Sequence, residues 1–354
     1  MIGRRDVLQH LGLGLATLSM VPRPGWSLPG KESELVLLTW PDYFAPEVLA
    51  AFEETNKVTV KQVPFESDEE RDQKLLRLGG DAFDVMVVNG PNLAFYARRA
   101  WVSPVNRERM RNLGNIEPRW MEGPGAEGLG IPYFWGTLGL AYREDLLDKP
   151  LQGWEDFFQP DASLQGRIQA ISSGRELVGM ALKSLGHSVN TEDAAALEEA
   201  EKRLLKQRPF VASYRYIDLS ANSPLVTGKI SAAMVYSGDA LKLQEFHPAI
   251  RYSHPREGSA LWVDYLAMGT NRARRELSMT FIDFLNDPHM AILNAQSLHF
   301  ATPNQGALAL GKADYLSNPV IFPPEEVLKR SEPVRAISPR TLRRINELTG
   351  RLIR

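Results

Sequence analysis

Beyond residue 34 the apolar positions fall into short continuous runs separated by stretches of helical spacing, the alternation that builds an α/β lobe. Leu35-Val36-Leu37-Leu38-Thr39 predicts a buried strand. Pro46 to Glu54 predicts a helix, with proline at its start, acids at both ends and apolar residues at helical intervals. Val58 to Val63 reads as a second strand, Asp68 to Leu78 as a second helix and Phe83 to Val88 as a third strand. The resulting β-α-β-α-β unit has the continuous apolar strands of a mostly parallel sheet covered on both faces by helices.

Gly123-Pro124-Gly125-Ala126-Glu127-Gly128 interrupts this pattern. It fits the G-x-G-x-x-G spelling of a dinucleotide site, but it contains proline and follows no strand, so it reads as a loop. Beyond it the pattern resumes with a helix over 192–206, strands over 231–236 and 261–268, and helices near 277–285 and 341–352. A second α/β lobe fits that length, and no internal repeat or low-complexity tract is present.

Composition narrows the functional classes. The chain has 354 residues, 44% hydrophobic and 24% charged, which is ordinary for a folded protein of about two domains. With 41 basic against 43 acidic residues there is no cationic excess for a phosphate backbone, so a nucleic-acid partner is not expected. The absence of cysteine removes disulfides, thiolate metal sites and cysteine nucleophiles.

Residues 1–30 read as an export signal. Arg4 and Arg5 precede an apolar stretch from Leu11 to Val21, followed by Pro22, Pro24 and Gly25. Gly3-Arg4-Arg5-Asp6-Val7-Leu8-Gln9 resembles a twin-arginine signal, with Val7 where that pattern prefers phenylalanine. Its removal takes away Arg4, Arg5, Arg23 and Asp6, leaving 38 basic against 42 acidic residues, net −4. No later run reaches the roughly 18 apolar residues of a membrane span.

Catalytic and metal motifs are missing. The six histidines show no H-x-H, H-E-x-x-H or i, i+4 pairing, and neither a G-x-S-x-G elbow nor a phosphate-binding loop occurs. Aromatic residues beside acids are what stand out. Trp40-Pro41-Asp42-Tyr43 follows the first strand, Tyr236-Ser237-Gly238-Asp239 closes another, and Trp262-Val263-Asp264 puts an indole and a carboxylate on one strand face. Singly, Trp262 reads as core, Asp42 as a cap for the helix entering at Pro46 and Asp239 as a turn acid. Jointly, at strand ends where open α/β sheets bind ligands, they suit an organic cation. A cation over an aromatic face gains up to about 2 kcal/mol when desolvated. A charge-assisted hydrogen bond adds roughly 1.5 to 3 kcal/mol. A polyamine meets that description.

The order of short motifs also resembles a known family, the periplasmic spermidine/putrescine-binding proteins of ABC transporters. It is carried by Leu38 to Tyr43, Phe83 to Val88, Ile131-Pro132-Tyr133-Phe134-Trp135-Gly136-Thr137, Gly153 to Phe158, Gly174 to Leu182, Met234 to Asp239, Pro255-Arg256-Glu257-Gly258, Trp262-Val263-Asp264 and Ala301-Thr302-Pro303-Asn304. The resemblance implies a two-lobed periplasmic binding protein of the type II-like kind, with its ligand cleft between lobes built from discontinuous segments. One lobe would hold 31–137 plus 266–302 and the other 138–265 plus 303–354, with crossings near Thr137, Leu266 and Thr302.

Carried over position by position, the resemblance makes Trp40 and Tyr43 aromatic walls, Asp42 and Glu176 polar partners of the amines, and Tyr236 a replacement for a stacking tryptophan. Trp262 becomes a further wall, Asp264 the central carboxylate, and Asp239 the counterpart of an acid in putrescine-type members. Two places depart from the pattern. Asn89-Gly90-Pro91 replaces a serine-to-tyrosine stretch, which loses an aromatic wall and leaves Asn89 at the ligand-binding position, and Ser173 stands where spermidine-type members are acidic. The implied function is capture of a putrescine- or spermidine-type polyamine in the periplasm by a monomer that delivers it to a membrane ABC permease. A polyamine sensor presenting its bound form to a membrane signalling protein is the alternative. No enzymatic activity, metal or cofactor is expected.

Overall fold

The computed structural model describes residues 34–121 and 128–353. The export segment and residues 123–127 of the glycine- and proline-rich stretch lie outside the described residues. Strands β1 (Glu34–Thr39), β2 (Thr59–Pro64) and β3 (Val85–Asn89) are parallel in the order β2-β1-β3. The helices Pro46–Asn56 and Asp68–Leu78 make the two crossovers, as the sequence pattern predicts. β1 is apolar from Leu35 to Leu38 because both faces are covered: Leu35 and Leu37 enter one core while Val36 and Leu38 enter another. Pro46 occupies the first turn of its helix, and Ser67 caps the next by accepting from Glu70 N.

The fourteen-residue strand β4 (Gly130–Arg143) is buried along its whole length and joins the two halves of the molecule. The second half contains β5 (Ile168–Ala170), β6 (Val211–Tyr214), β7 (Ala232–Tyr236) and β8 (Ile250–Ser253). The chain returns on β9 (Ala260–Met268), and the short β10 (Glu332–Pro333) pairs with its start. Among the described residues these ten strands form one sheet in the order β2-β1-β3-β9-β4-β7-β5-β6, with β8 on β4 and β10 on β9. The flanks are parallel and the centre is antiparallel. One strand leaves the first lobe and the other comes back, so β4 and β9 must run in opposite directions.

β4 changes partners at the lobe boundary. Thr137 is registered with Leu261 of β9, and the next residue, Leu138, with Tyr236 of β7. The sequence-based partition expects crossings near Thr137, Leu266 and Thr302. Leu261 to Asp264 already pair within the first lobe, so the return falls at Ala260, not near Leu266. Ala307, Tyr315 and Ile321 pack in the core of Leu37, Phe52 and Phe281, which places 303–321 in the first lobe instead of the second. The helices there, Gln305–Leu308 and Ala313–Leu316, are too short for a periodic pattern to reveal which core they serve. The C-terminal helix Pro339–Leu352 packs in the second core through Ile345, Leu348 and Leu352, against residues such as Trp154, Leu177 and Leu197. No helix of the described residues is long and apolar enough to cross a membrane.

Candidate ligand-binding site

The site is organised on β9. Its two-residue period presents Trp262 and Asp264 on one face, and the ladder sets Asn89 of β3 opposite Asp264 on one side and Phe134 of β4 opposite it on the other. Gly136 stands opposite Trp262, and a Cβ there would lie 2.6 Å from the indole Cζ2, so a side chain at this position would displace the ring. Just after β1, a turn with Asp42 in the left-handed region (φ 51°) leads to the buried Tyr43. The Tyr43 hydroxyl donates to Asp264 Oδ2 at 2.8 Å. Its ring lies edge-on to Phe134 at 5.6 Å and 5.5 Å from Phe300. Trp40 rests on Phe65 at 4.5 Å, and its side chain also helps keep the Asp264 carboxylate charged.

The second lobe contributes two further carboxylates in the same style. Glu176 lies in the first turn of the helix Gly174–Ser184, behind the cap Ser173, and accepts from the Tyr236 hydroxyl at 2.9 and 2.8 Å. Asp239 accepts from the Tyr216 hydroxyl at 2.6 Å. Tyr216 is 42% exposed, yet its hydroxyl is turned inward onto that buried acid. Tyr236 connects the lobes: its ring is 5.8 Å from Trp262, which in turn meets Phe300 edge-on at 5.4 Å. The Trp262 indole N–H is buried with no hydrogen-bond partner among the described residues. Phe300 also closes onto the second lobe, where a Cβ on Gly238 would lie 2.4 Å from its ring.

Each of the three carboxylates has a tyrosine hydroxyl as donor, and burial dominates the electrostatics of all three. Desolvation lifts Asp264 to about 6, against the lowering effects of the Tyr43 bond and the nearby Arg71 charge. It lifts Glu176 to about 7, opposed by Tyr236, and Asp239 to about 7, opposed by Tyr216. The same burial pushes Tyr43, Tyr236 and Tyr216 well above 10, so all three remain donors. The guanidinium groups of Arg71 and Arg175 offset part of this desolvation, on Asp264 and Glu176 respectively, and an enclosed cation would relieve it further.

Trp40, Tyr43, Asn89, Glu176, Tyr236, Asp239, Trp262 and Asp264 are thus linked by contacts into one cluster. Asp42 is not. It is exposed, and the left-handed turn leaves it without a hydrogen bond or ring contact to the cluster among the described residues. Nor does it cap the helix at Pro46, whose cap position is Ala45 with no side-chain bond. Asn89 caps the helix Gly90–Arg98, accepting from Asn92 N at 3.3 Å, and donates to Asp68 Oδ2 at 2.6 Å.

Sequence reasoning missed Asp68, Arg71, Tyr216 and Phe300. Arg71 is fully buried between the Phe65 and Tyr96 rings, 5.1 and 5.4 Å from their centroids. Its Nε donates to the Tyr96 hydroxyl at 2.7 Å, and its Nη2 lies 2.8 Å from Asp68 Oδ1. In the sequence, Asp68 and Arg71 look like an ordinary first-turn acid and an i, i+3 surface partner.

A cleft between two α/β lobes, lined by aromatic rings and buried acids, is the architecture of a two-lobed solute-binding protein. Residues 47–323 match the family of bacterial extracellular solute-binding proteins, and the chain belongs to that family. Its members are binding proteins, not enzymes. The chain is 27% identical over 301 residues to the spermidine/putrescine-binding periplasmic protein of Escherichia coli, covering 84% of this chain and 85% of that protein. It is 29% identical over 297 residues to a norspermidine sensor of Vibrio cholerae, covering 83% and 82% respectively. Among solved structures, a spermidine/putrescine ABC transporter substrate-binding protein from Streptococcus pneumoniae superposes with a TM-score of 0.78 at 26% identity, over 90% of this chain and 98% of that one.

Proposed function

We propose that the protein is a periplasmic, monomeric receptor that captures a di- or triamine of the putrescine or spermidine type between its lobes and delivers it to a membrane ABC permease. The observation that carries the reading is the set of three enclosed carboxylates, Asp264, Glu176 and Asp239, each bonded to a tyrosine hydroxyl and linked through a chain of ring contacts that includes Trp262 and Tyr236. A carboxylate enclosed this way is costly without a cationic partner, and an alkyl chain between ammonium groups matches aromatic walls between acids. Closure is a hinge motion in which the amine joins groups of both lobes. The relatives named above bind spermidine and putrescine or sense norspermidine, which agrees with this ligand class.

A thermal-shift screen tests the reading. Putrescine, spermidine or norspermidine at 100 times its dissociation constant should add about 2.7 kcal/mol of stability, with a change in tryptophan emission, whereas anionic sugars and phosphates should do neither. A response to some other solute class and to no amine would refute it. The similarity to a sensor favours a second reading, in which the amine-bound form engages a membrane signalling protein. Co-purification from membranes with permease subunits supports delivery, and co-purification with a signalling protein supports sensing.

A further inference from the structure

Asp68 begins the helix Asp68–Leu78, behind the Ser67 cap, and its carboxylate is held from three directions. Oδ2 accepts from Asn89 Nδ2 at 2.6 Å and from Asn92 Nδ2 at 3.4 Å, while Oδ1 lies 2.8 Å from Arg71 Nη2. Asn89 is the ladder neighbour of Asp264, so Asp68 stands one side chain away from the centre of the slot. Were Asp68 only the counter-charge of Arg71, it would be expected to share that residue's burial. Arg71 is fully buried, whereas 38% of the Asp68 side chain remains exposed. Arg71 also has a second acid within its own network, since the Tyr96 hydroxyl that it contacts donates to Asp72. Each carboxylate oxygen has two acceptor directions, which leaves Asp68 capacity for another donor.

We propose that Asp68 is a specificity-determining carboxylate: with Glu176 from the other lobe it takes one ammonium group, while Asp264 and Asp239 take two others, so that a triamine uses it and a diamine does not. This rests on the polyamine reading of the cleft. The charge balance supports it. Asp264, Glu176 and Asp68 are three acids against the two guanidinium groups that act on them, Arg71 on Asp264 and Arg175 on Glu176, and Asp239 adds a fourth acid. The Asp68 charge also pushes up both Asp264 and Glu176, so it acts on the acids of both lobes.

The test is calorimetric titration of wild type, Asp68→Asn and Asp68→Glu with spermidine and putrescine. Asp68→Asn should weaken spermidine about tenfold or more while leaving putrescine within about threefold. Asp68→Glu retains a negative partner for Arg71, and with it the fold, but displaces the carboxylate by one methylene, and it should also lower the ratio of spermidine to putrescine affinity. If Asp68→Asn fails to fold, the ratio in Asp68→Glu decides alone. Equal losses for both amines, or an unchanged ratio in the folded variants, would overturn the assignment. Failure of wild type to bind either amine would instead refute the ligand class.

Discussion

Tyr43 and Asp264 are 221 positions apart in the chain and are joined by a 2.8 Å hydrogen bond that brings the exit of β1 against the middle of β9. The bond spares Asp264 part of the cost of its burial and orients the carboxylate proposed above as the central charge of the site. Asp264→Asn keeps the shape and removes the charge. Breaking a buried ion pair costs on the order of 3 to 5 kcal/mol, so amine affinity should fall at least about a hundredfold. Tyr43→Phe leaves the charge without its donor and should cost about tenfold or more, in line with the roughly 1.5 to 3 kcal/mol of a charged hydrogen bond. Titration calorimetry on folded variants checks both, and an Asp264→Asn protein that binds within a few-fold of wild type would contradict the central role.

The acids predict a linked pH dependence. Asp264 at about 6 and Glu176 and Asp239 at about 7 all lie above their unfolded values near 4. Between about pH 4 and 7 these three groups therefore bind more protons in the ligand-free folded chain than in the unfolded chain. Their contribution to stability is greatest below that window and falls as pH rises through it. A bound polyammonium favours the ionised acids, so amine affinity should rise from pH 5 to pH 8. Calorimetry at pH 6 in two buffers of different ionisation heat should report net proton release on binding. Proton uptake, or an affinity independent of pH, would show that these carboxylates do not meet the amine.

Gly136 has a role that a conservative change should expose. In Gly136→Ala the new methyl would approach Trp262 Cζ2 at 2.6 Å and Ser237 Oγ at 3.0 Å, so the indole must move within the slot. Overpacking of this kind costs typically about 1 to 3 kcal/mol. The expected outcome is an altered tryptophan emission maximum and amine binding weakened about tenfold, with the protein still folded. Unchanged emission and affinity would mean that Trp262 does not wall the ligand.

Asp42 provides the contrasting case. Although it sits between two site aromatics in the sequence, it is exposed and turned out by its left-handed backbone. Asp42→Ala should leave affinity for putrescine and spermidine within about threefold of wild type in the same titration. A tenfold loss would mean that this turn reorganises around the ligand and brings the acid into the slot.

Local signals were enough for β1, β2, β3, β7 and β9, the two crossover helices of the first lobe and part of the site. β1 is legible because a strand buried on both faces reads as a continuous apolar run, here Leu35 to Leu38, and those residues do divide between two cores. Trp262 and Asp264 are legible as a pair because a period of two puts them on one face whatever surrounds them. The crossing at Thr137 fell within the motif that carried the family resemblance. What lay beyond local reading was everything that depends on which distant segment arrives opposite. The assignment of 303–321 to the first lobe, the tyrosine donor of each acid, and the exclusion of Asp42 all follow from chain directions set by packing. Asp68 shows why. As the first residue of an amphipathic helix it has the sequence of a solvated acid that complements the helix dipole, and only the arrival of β3, with Asn89, beside that helix makes it part of the site. Period and propensity act over a few residues and determine which way a side chain faces within its own element, whereas the enclosure of a charge, and hence its chemistry, is decided by the elements that pack around it.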